Sequence, residues 1–212
     1  MSKLCKAKYL LLFGIFNLGT YFLIQQYVSH QYDFLTPVDE AIPLMPWTVW
    51  LYHTLIPGII GTMFLLVKAR SVFMNVFWAS ILATVVIHIC YLVFPSFYPR
   101  PELIGSGLTH ALVEFSYSID NSSNTFPSGH VTFAWLMFWG AFYSEAVKSV
   151  MGLRRLYFLW AFGVSLSTLT MKMHYIIDVI GGFALAAFCF FIVKEVSERL
   201  SYYKNEKNKS TS

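Results

Sequence analysis

The sequence predicts an all-α integral membrane protein, a single bundle of six transmembrane helices. Three observations carry that expectation. Of 212 residues, 57% are hydrophobic and 12% charged, with a mean hydropathy of +0.57, more apolar surface than a water-soluble domain of this size can bury. The apolar residues gather into runs of the roughly 20 residues that a helix needs to cross a hydrocarbon core of about 30 Å. The charges are sorted among the connections rather than spread along the chain.

The first span is expected over 9–29. The basic start "MSKLCKAKY" leads into it without a small-residue cleavage site, so the run stays as a span rather than a removed signal. The next spans are 46–67 and 72–95, and the fourth, 127–146, begins at "FPSGH". From Leu156 to Val193 the chain is almost continuously apolar. One helix of that length would run to roughly 57 Å, too long for one crossing. It breaks at the polar interruption "KMHYIID", giving spans at 155–172 and 174–194. Residues 1–200 form one domain, without internal repeat, and 201–212, "SYYKNEKNKSTS", read as a short disordered cytoplasmic tail.

Charge gives the sidedness. With both termini in the cytoplasm, Lys3, Lys6, Lys8, Lys68, Arg70, Lys148, Arg154, Arg155, Lys194, Arg199, Lys204, Lys207 and Lys209 fall inside, while Arg100 and Lys172 fall outside. That bias makes the net charge of +4 a matter of topology rather than a nucleic-acid footprint. Cys5, Cys90 and Cys189 have neither paired nor metal-type spacing and read as packing residues.

Three polar clusters land on the outer face. The third span ends at "VFPSFYPRP" with Arg100; the fourth begins with Ser128, Gly129 and His130; the break presents Lys172, His174 and Asp178. His174 and Asp178 are four apart, which puts them on one helical face where a carboxylate can orient an imidazole. A helix start suits an anion, because it offers unpaired N–H groups and a positive dipole end. Two histidines, a carboxylate and two cations suit phosphoryl transfer: one histidine attacks phosphorus, the other protonates the leaving oxygen, and the cations hold the phosphate oxygens. Taken singly, each part has a plainer reading, as an interfacial anchor, a helix-start proline or a packed histidine. Their coincidence on one face, fixed by charge counts, favours function.

"PSGH", the preceding "RP" and the following His-x-x-x-Asp resemble the type 2 phosphatidic acid phosphatase superfamily, which includes lipid phosphate phosphatases and vanadium haloperoxidases. The resemblance covers about 90–185 and implies the phosphatase/haloperoxidase-like bundle. It implies that His174 is the nucleophile forming a phosphohistidine, Asp178 orients it, and His130 is general acid and then base. Arg100, Ser128 and Gly129 would cradle the phosphate. The implied activity is a phosphatase acting on a lipid phosphomonoester or pyrophosphate at the extracytoplasmic leaflet. It would need no metal or other cofactor, with the lipid phosphate and the surrounding membrane lipids as its partners and no obligate protein partner.

Two positions depart from the family pattern. Val93 stands where a lysine is usual, seven before Arg100, and Thr168 stands where an arginine is usual, six before His174. Lys172 is the remaining cation on this face and is expected to substitute. "IPLMPWTVWLY", "YSIDNSSNTFPSGH" and "K-x-H-Y" look similar to the branch related to inositol phosphorylceramide synthases. This makes headgroup transfer to an alcohol or lipid the alternative to hydrolysis. A metal hydrolase using His130, His174 and Asp178 as ligands, and a lipid-binding or transport protein without catalysis, are further alternatives.

Between the first two motifs, Ile104, Leu108, Ala111, Leu112 and Phe115 recur at helical spacing, as in a short interfacial helix over the site or one packed on the bundle. Asp120 and Asn124 suit a turn and a helix entry or a headgroup pocket. Asn121 fits a glycosylation sequon, and His30, His53, His88 and His110 read as packed or interfacial.

Overall fold

The computed structural model describes residues 3–27, 32–120 and 122–210, and among them the secondary structure is helical, with two isolated bridge pairs and no strand. The expected all-α bundle is therefore present. His30 and Asn121 lie outside the described residues.

The chain opens with α1 (Lys3–Tyr27), then α2 (Pro37–Ala41), started by a capping box between Thr36 and Asp39 with Pro37 in the first turn. A 3-10 turn (Pro46–Thr48) leads into α3 (Val49–Tyr52) and α4 (Leu55–Leu66). Then come α5 (Arg70–Val93), α6 (Leu108–Ile119), α7 (Gly129–Tyr143), α8 (Glu145–Lys148), α9 (Leu153–Thr170) and α10 (Ile176–Ser210).

The bundle is built around α7, which packs against α4, α5, α9 and α10. Small residues let the helices approach, the usual route where lipid removes the hydrophobic drive between them. A Cβ on Gly140 would lie 2.5 Å from Val76 Cγ2, and one on Gly182 would lie 2.6 Å from the Ser128 carbonyl oxygen. Gly182 thus presses α10 against the start of α7, where the second motif sits. The outward faces of α1, α4 and α9 carry exposed Leu12, Phe64 and Leu159, as expected of surfaces solvated by lipid.

Among the described residues, four stretches are helical, long and apolar enough to cross a membrane: Lys8–Tyr27, Pro46–Leu66, Arg70–Val93 and Ile176–Lys209. The other two expected spans are shorter. The run 127–146 is interrupted at Ser144, leaving α7 with 15 residues, and the 18-residue α9 carries Arg154 and Arg155 plus buried Ser165, Ser167 and Thr168. The expected break is present: α9 stops at Thr170 and α10 starts at Ile176.

The tail expected to be disordered is instead the end of α10, which stays helical to Ser210. Ion pairs at helical spacing support it: Lys194–Glu198 at 2.8 Å, Arg199–Glu195 at 2.7 Å and Lys209–Glu206 at 3.6 Å. The polar composition of 201–212 had concealed the last of these pairs. Cys90 and Cys189 are free thiols, the latter buried in the core as a packing residue.

Candidate active site

Three loops meet at one end of the bundle. Ser96 joins the first two. Its hydroxyl oxygen accepts from the Thr125 N–H at 3.0 Å, the Thr125 hydroxyl at 2.8 Å and the Phe126 N–H at 3.0 Å, while its carbonyl accepts from Asn124 N–H at 2.8 Å. The second and third loops are joined by the Ser128 N–H, which donates to the Asp178 carbonyl at 3.0 Å. Arg100 spans the first and third: Nη1 donates to the Lys172 carbonyl at 2.8 Å and Nη2 to the Asp120 carbonyl at 3.1 Å. The three motifs therefore share one hydrogen-bonded frame.

At its centre are the histidines. Ser128 is the N-cap of α7, its hydroxyl oxygen accepting from Val131 N–H, so His130 lies in the first turn. The rings of His130 and His174 are 6.0 Å apart between centroids. His174 is 5% exposed and Asp178 fully buried, with Nδ1 3.4 Å from Oδ2. Among the described residues neither ring nitrogen of His174 has a hydrogen-bond partner, nor has Asp178 Oδ1. Buried polar groups left so are uncommon and mark working sites.

The pair is close for a different local reason than helical spacing. His174 stands in the turn before α10, and only Asp178 is in the helix. Asp178 Oδ2 accepts from the Tyr175 N–H at 2.8 Å, capping the helix from within, and this brings the carboxylate back toward His174. The His174 N–H in turn donates to the Thr168 carbonyl at 3.3 Å.

The phosphate cradle expected from the sequence is placed as follows. Arg100, Ser128 and Gly129 all lie in the frame, and a Cβ on Gly129 would meet nothing closer than Tyr91 Oη at 3.7 Å. Lys172 sits in the turn with a left-handed backbone, φ 54, and its Nζ donates to the Asp39 carbonyl at 2.7 Å. Val93 faces outward and exposed, and Thr168 is buried with its hydroxyl donating to the Ser165 carbonyl at 2.7 Å. Neither position carries a charge into the site. Among the described residues, no group of three or more His, Cys, Asp or Glu side chains converges as a set of metal ligands.

Several residues around the site escaped the sequence reading. The Tyr52 ring stacks on His130, with centroids 4.3 Å apart and planes at 28°. Its hydroxyl donates to Asp120 Oδ2 at 3.5 Å, and Tyr21 donates to Asp120 Oδ1. Tyr117 lies under the Arg100 guanidinium, 5.2 Å from its ring centroid, and donates to the Met171 carbonyl at 2.6 Å. Burial pushes the Tyr117 phenol up to about 12, with Arg100 opposing, so it stays a donor at neutral pH. Asp39 had no signal beyond the Thr36-x-x-Asp39 spacing of a capping box, and Tyr52 none beyond its place at the end of "IPLMPWTVWLY".

The short helix between the first two motifs is α6. It packs against α3 through Leu112 and Val113, while Leu108 and Phe115 are exposed and Ile104 lies ahead of the helix. His53 pairs with Ser116 Oγ at 3.0 Å and His88 with Thr20 Oγ1 at 3.3 Å, both structural contacts, and His110 packs against Gly105. Asp120 ends α6, and Asn124 is buried with a left-handed backbone, φ 60.

Fold and site together define a helical protein suited to a membrane that brings two histidines, a carboxylate and an arginine to one polar end. A model of the PAP2 superfamily matches residues 96–202, half of the chain, and takes in Arg100, Ser128, Gly129, His130, His174 and Asp178. The chain belongs to the PAP2 superfamily, whose members are phosphoric ester hydrolases or related enzymes. No curated protein matches it.

Proposed function

We propose that the chain is a multi-pass membrane phosphatase that cleaves a lipid phosphomonoester or pyrophosphate at the extracytoplasmic face through a phosphohistidine. The observation that carries this reading is the buried His174–Asp178 pair, 3.4 Å apart, with a second histidine ring 6.0 Å away.

Asp178 beside Nδ1 stabilises the charge that His174 gains as Nε2 attacks phosphorus. The P–O bond to the lipid breaks as the N–P bond forms, and protonated His130 gives its proton to the leaving oxygen. His130, now neutral, takes a proton from water; that oxygen attacks phosphorus, the P–N bond breaks, and inorganic phosphate leaves. Arg100, the α7 start with Ser128 and Gly129, and the two remaining donors of Lys172 hold the phosphate oxygens. Charge sorting supports six crossings with both termini cytoplasmic, which puts this end outside.

Headgroup transfer is the second reading, favoured by one observation. Val93 and Thr168 are neutral and Lys172 is partly engaged by a backbone carbonyl, so a singly charged phosphodiester suits this site better than its charge would suit a dianion. The chemistry is shared as far as the phosphohistidine, and an alcohol then replaces water.

Phosphate release from a panel of lipid phosphates, in detergent with chelator present, separates the readings when wild type is compared with His174→Ala. Release that depends on His174 supports the phosphatase. Product formed only with an alcohol acceptor supports transfer. Neither, across monoesters and diesters, leaves a lipid-binding or transport protein that keeps the fold.

A further inference from the structure

The nucleophile proposed above sits on a turn whose N–H groups bond back to α9 carbonyls from Met171 to His174, while the Lys172 side chain and the Ile176 N–H reach outside it for partners. Residues 171–175 belong to no helix, and Lys172 adopts a left-handed backbone that a non-glycine residue holds only where its surroundings impose it. The first N–H groups of α10 also need acceptors, and the residue ahead of Ile176 is Tyr175, which cannot serve as a side-chain cap.

Asp39 meets both needs. It lies 137 residues before Ile176, is 2% exposed, and falls outside the family match. Its Oδ1 accepts from the Ile176 N–H at 2.7 Å, and its backbone carbonyl accepts from Lys172 Nζ at 2.7 Å. One residue therefore grips the chain two positions before His174 and two positions after it. Asp39 is itself fixed: Oδ2 accepts from the Thr36 N–H at 3.0 Å and from the Thr36 hydroxyl, and the Asp39 N–H donates to Thr36 Oγ1 at 3.3 Å. The same loop holds the turn again through Tyr175, whose hydroxyl donates to Asp33 Oδ1 at 2.7 Å.

We infer that Asp39 is a positioning residue for His174, fixing the turn so that the imidazole stands against Asp178 and points at phosphorus. The inference rests on the phosphohistidine reading for its catalytic meaning but on these hydrogen bonds for its geometry. The loop before the second span is thereby part of the active site's construction.

The test compares full-length Asp39→Ala and Asp39→Asn with wild type and with the exposed neighbour Glu40→Gln. Asparagine keeps an acceptor oxygen for the Ile176 N–H but sets its amide NH2 against the Thr36 N–H from which Oδ2 accepts; alanine keeps neither contact. Two readouts are taken on protein whose thermal unfolding in detergent is measured alongside. The first is the rate at which diethyl pyrocarbonate modifies His174, followed by mass spectrometry, which reports the position of the ring whether or not any lipid turns over. The second is kcat and KM on whichever substrate wild type accepts.

In Asp39→Ala the modification of His174 is expected to quicken severalfold and kcat to fall about tenfold or more, with KM within about twofold, as displacement by an ångström entails. Asp39→Asn, which keeps one of the two carboxylate contacts, should fall between alanine and wild type, and Glu40→Gln should match wild type. Unchanged His174 protection in Asp39→Ala overturns the inference. So does a loss of kcat that only tracks unfolding. A wild type without His174-dependent turnover sinks the phosphatase reading instead, and the modification rates then decide about Asp39 alone.

Discussion

The N–H of Ser128 donates to the carbonyl of Asp178 at 3.0 Å, so the start of α7 and the first turn of α10 are fastened backbone to backbone. The helix that carries His130 and the carboxylate beside His174 cannot drift apart without breaking that bond. Its closeness depends on Gly182, one turn further along α10.

Gly182→Ala should separate the two helices, because the added Cβ would lie 2.6 Å from the Ser128 carbonyl and backbone has little room to yield. Overpacking of this kind costs about 1–3 kcal/mol. Thermal unfolding in detergent should show the loss, and activity should fall further than stability alone explains. A variant as stable as wild type would contradict this contact.

Gly129→Ala should behave in the opposite way. The nearest atom to the new methyl is Tyr91 Oη at 3.7 Å, an ordinary contact, so stability should stay within about 0.5 kcal/mol. If Gly129 borders the phosphate, the methyl occupies substrate space. KM and the inhibition constant of vanadate should then rise together, and unaltered values of both would remove Gly129 from the cradle.

His174→Ala should abolish any acid-labile phosphoenzyme. His130→Ala should form it slowly, with a loss of about 10²–10⁴ on a lipid alkoxide leaving group and much less on nitrophenolate, which needs no proton. Equal losses on both would argue against His130 as the acid.

Tyr52 separates ring from hydroxyl. Its stacking on His130 at 4.3 Å survives in Tyr52→Phe and is lost in Tyr52→Leu. Aromatic pairs contribute about 0.5–1.5 kcal/mol, so leucine should cost up to about tenfold in kcat and phenylalanine little. The reverse order would assign the work to the bond with Asp120.

Lys172→Met should raise KM for the phosphate substrate severalfold, since its ammonium has two donors beyond the one on Asp39. Wild-type KM in this variant would mean that Lys172 does not stand in for the cations absent at Val93 and Thr168.

What could be read from the chain beforehand was what local physics determines. The break between α9 and α10 was legible because an apolar run from Leu156 to Val193 overshoots a bilayer. The three motifs were legible as polar groups sorted to one face by the charge bias. Asp39 and Tyr52 were not, because their roles come from contacts with residues 137 and 78 positions away, His130 lying beyond three helices from Tyr52. The helical tail was hidden differently: the polar composition of 201–212 reads as disorder until the spacing of three between Glu206 and Lys209 is considered. His174 and Asp178 were paired correctly by spacing, yet by a cap rather than by a shared helical face.

One rod, α10, carries Asp178 in its first turn and Ser210 in its last. At about 1.5 Å per residue it is about 52 Å long, well beyond a hydrocarbon core of about 30 Å. A tilt of about 2° about its middle moves each end by about 1 Å, enough to spoil an aligned nucleophile. On the proposed mechanism, whatever leans on the far end of the rod, or changes the thickness of the bilayer around it, reaches Asp178 as an angular error beside His174. The rate of the proposed reaction would then gauge the membrane that surrounds the helix.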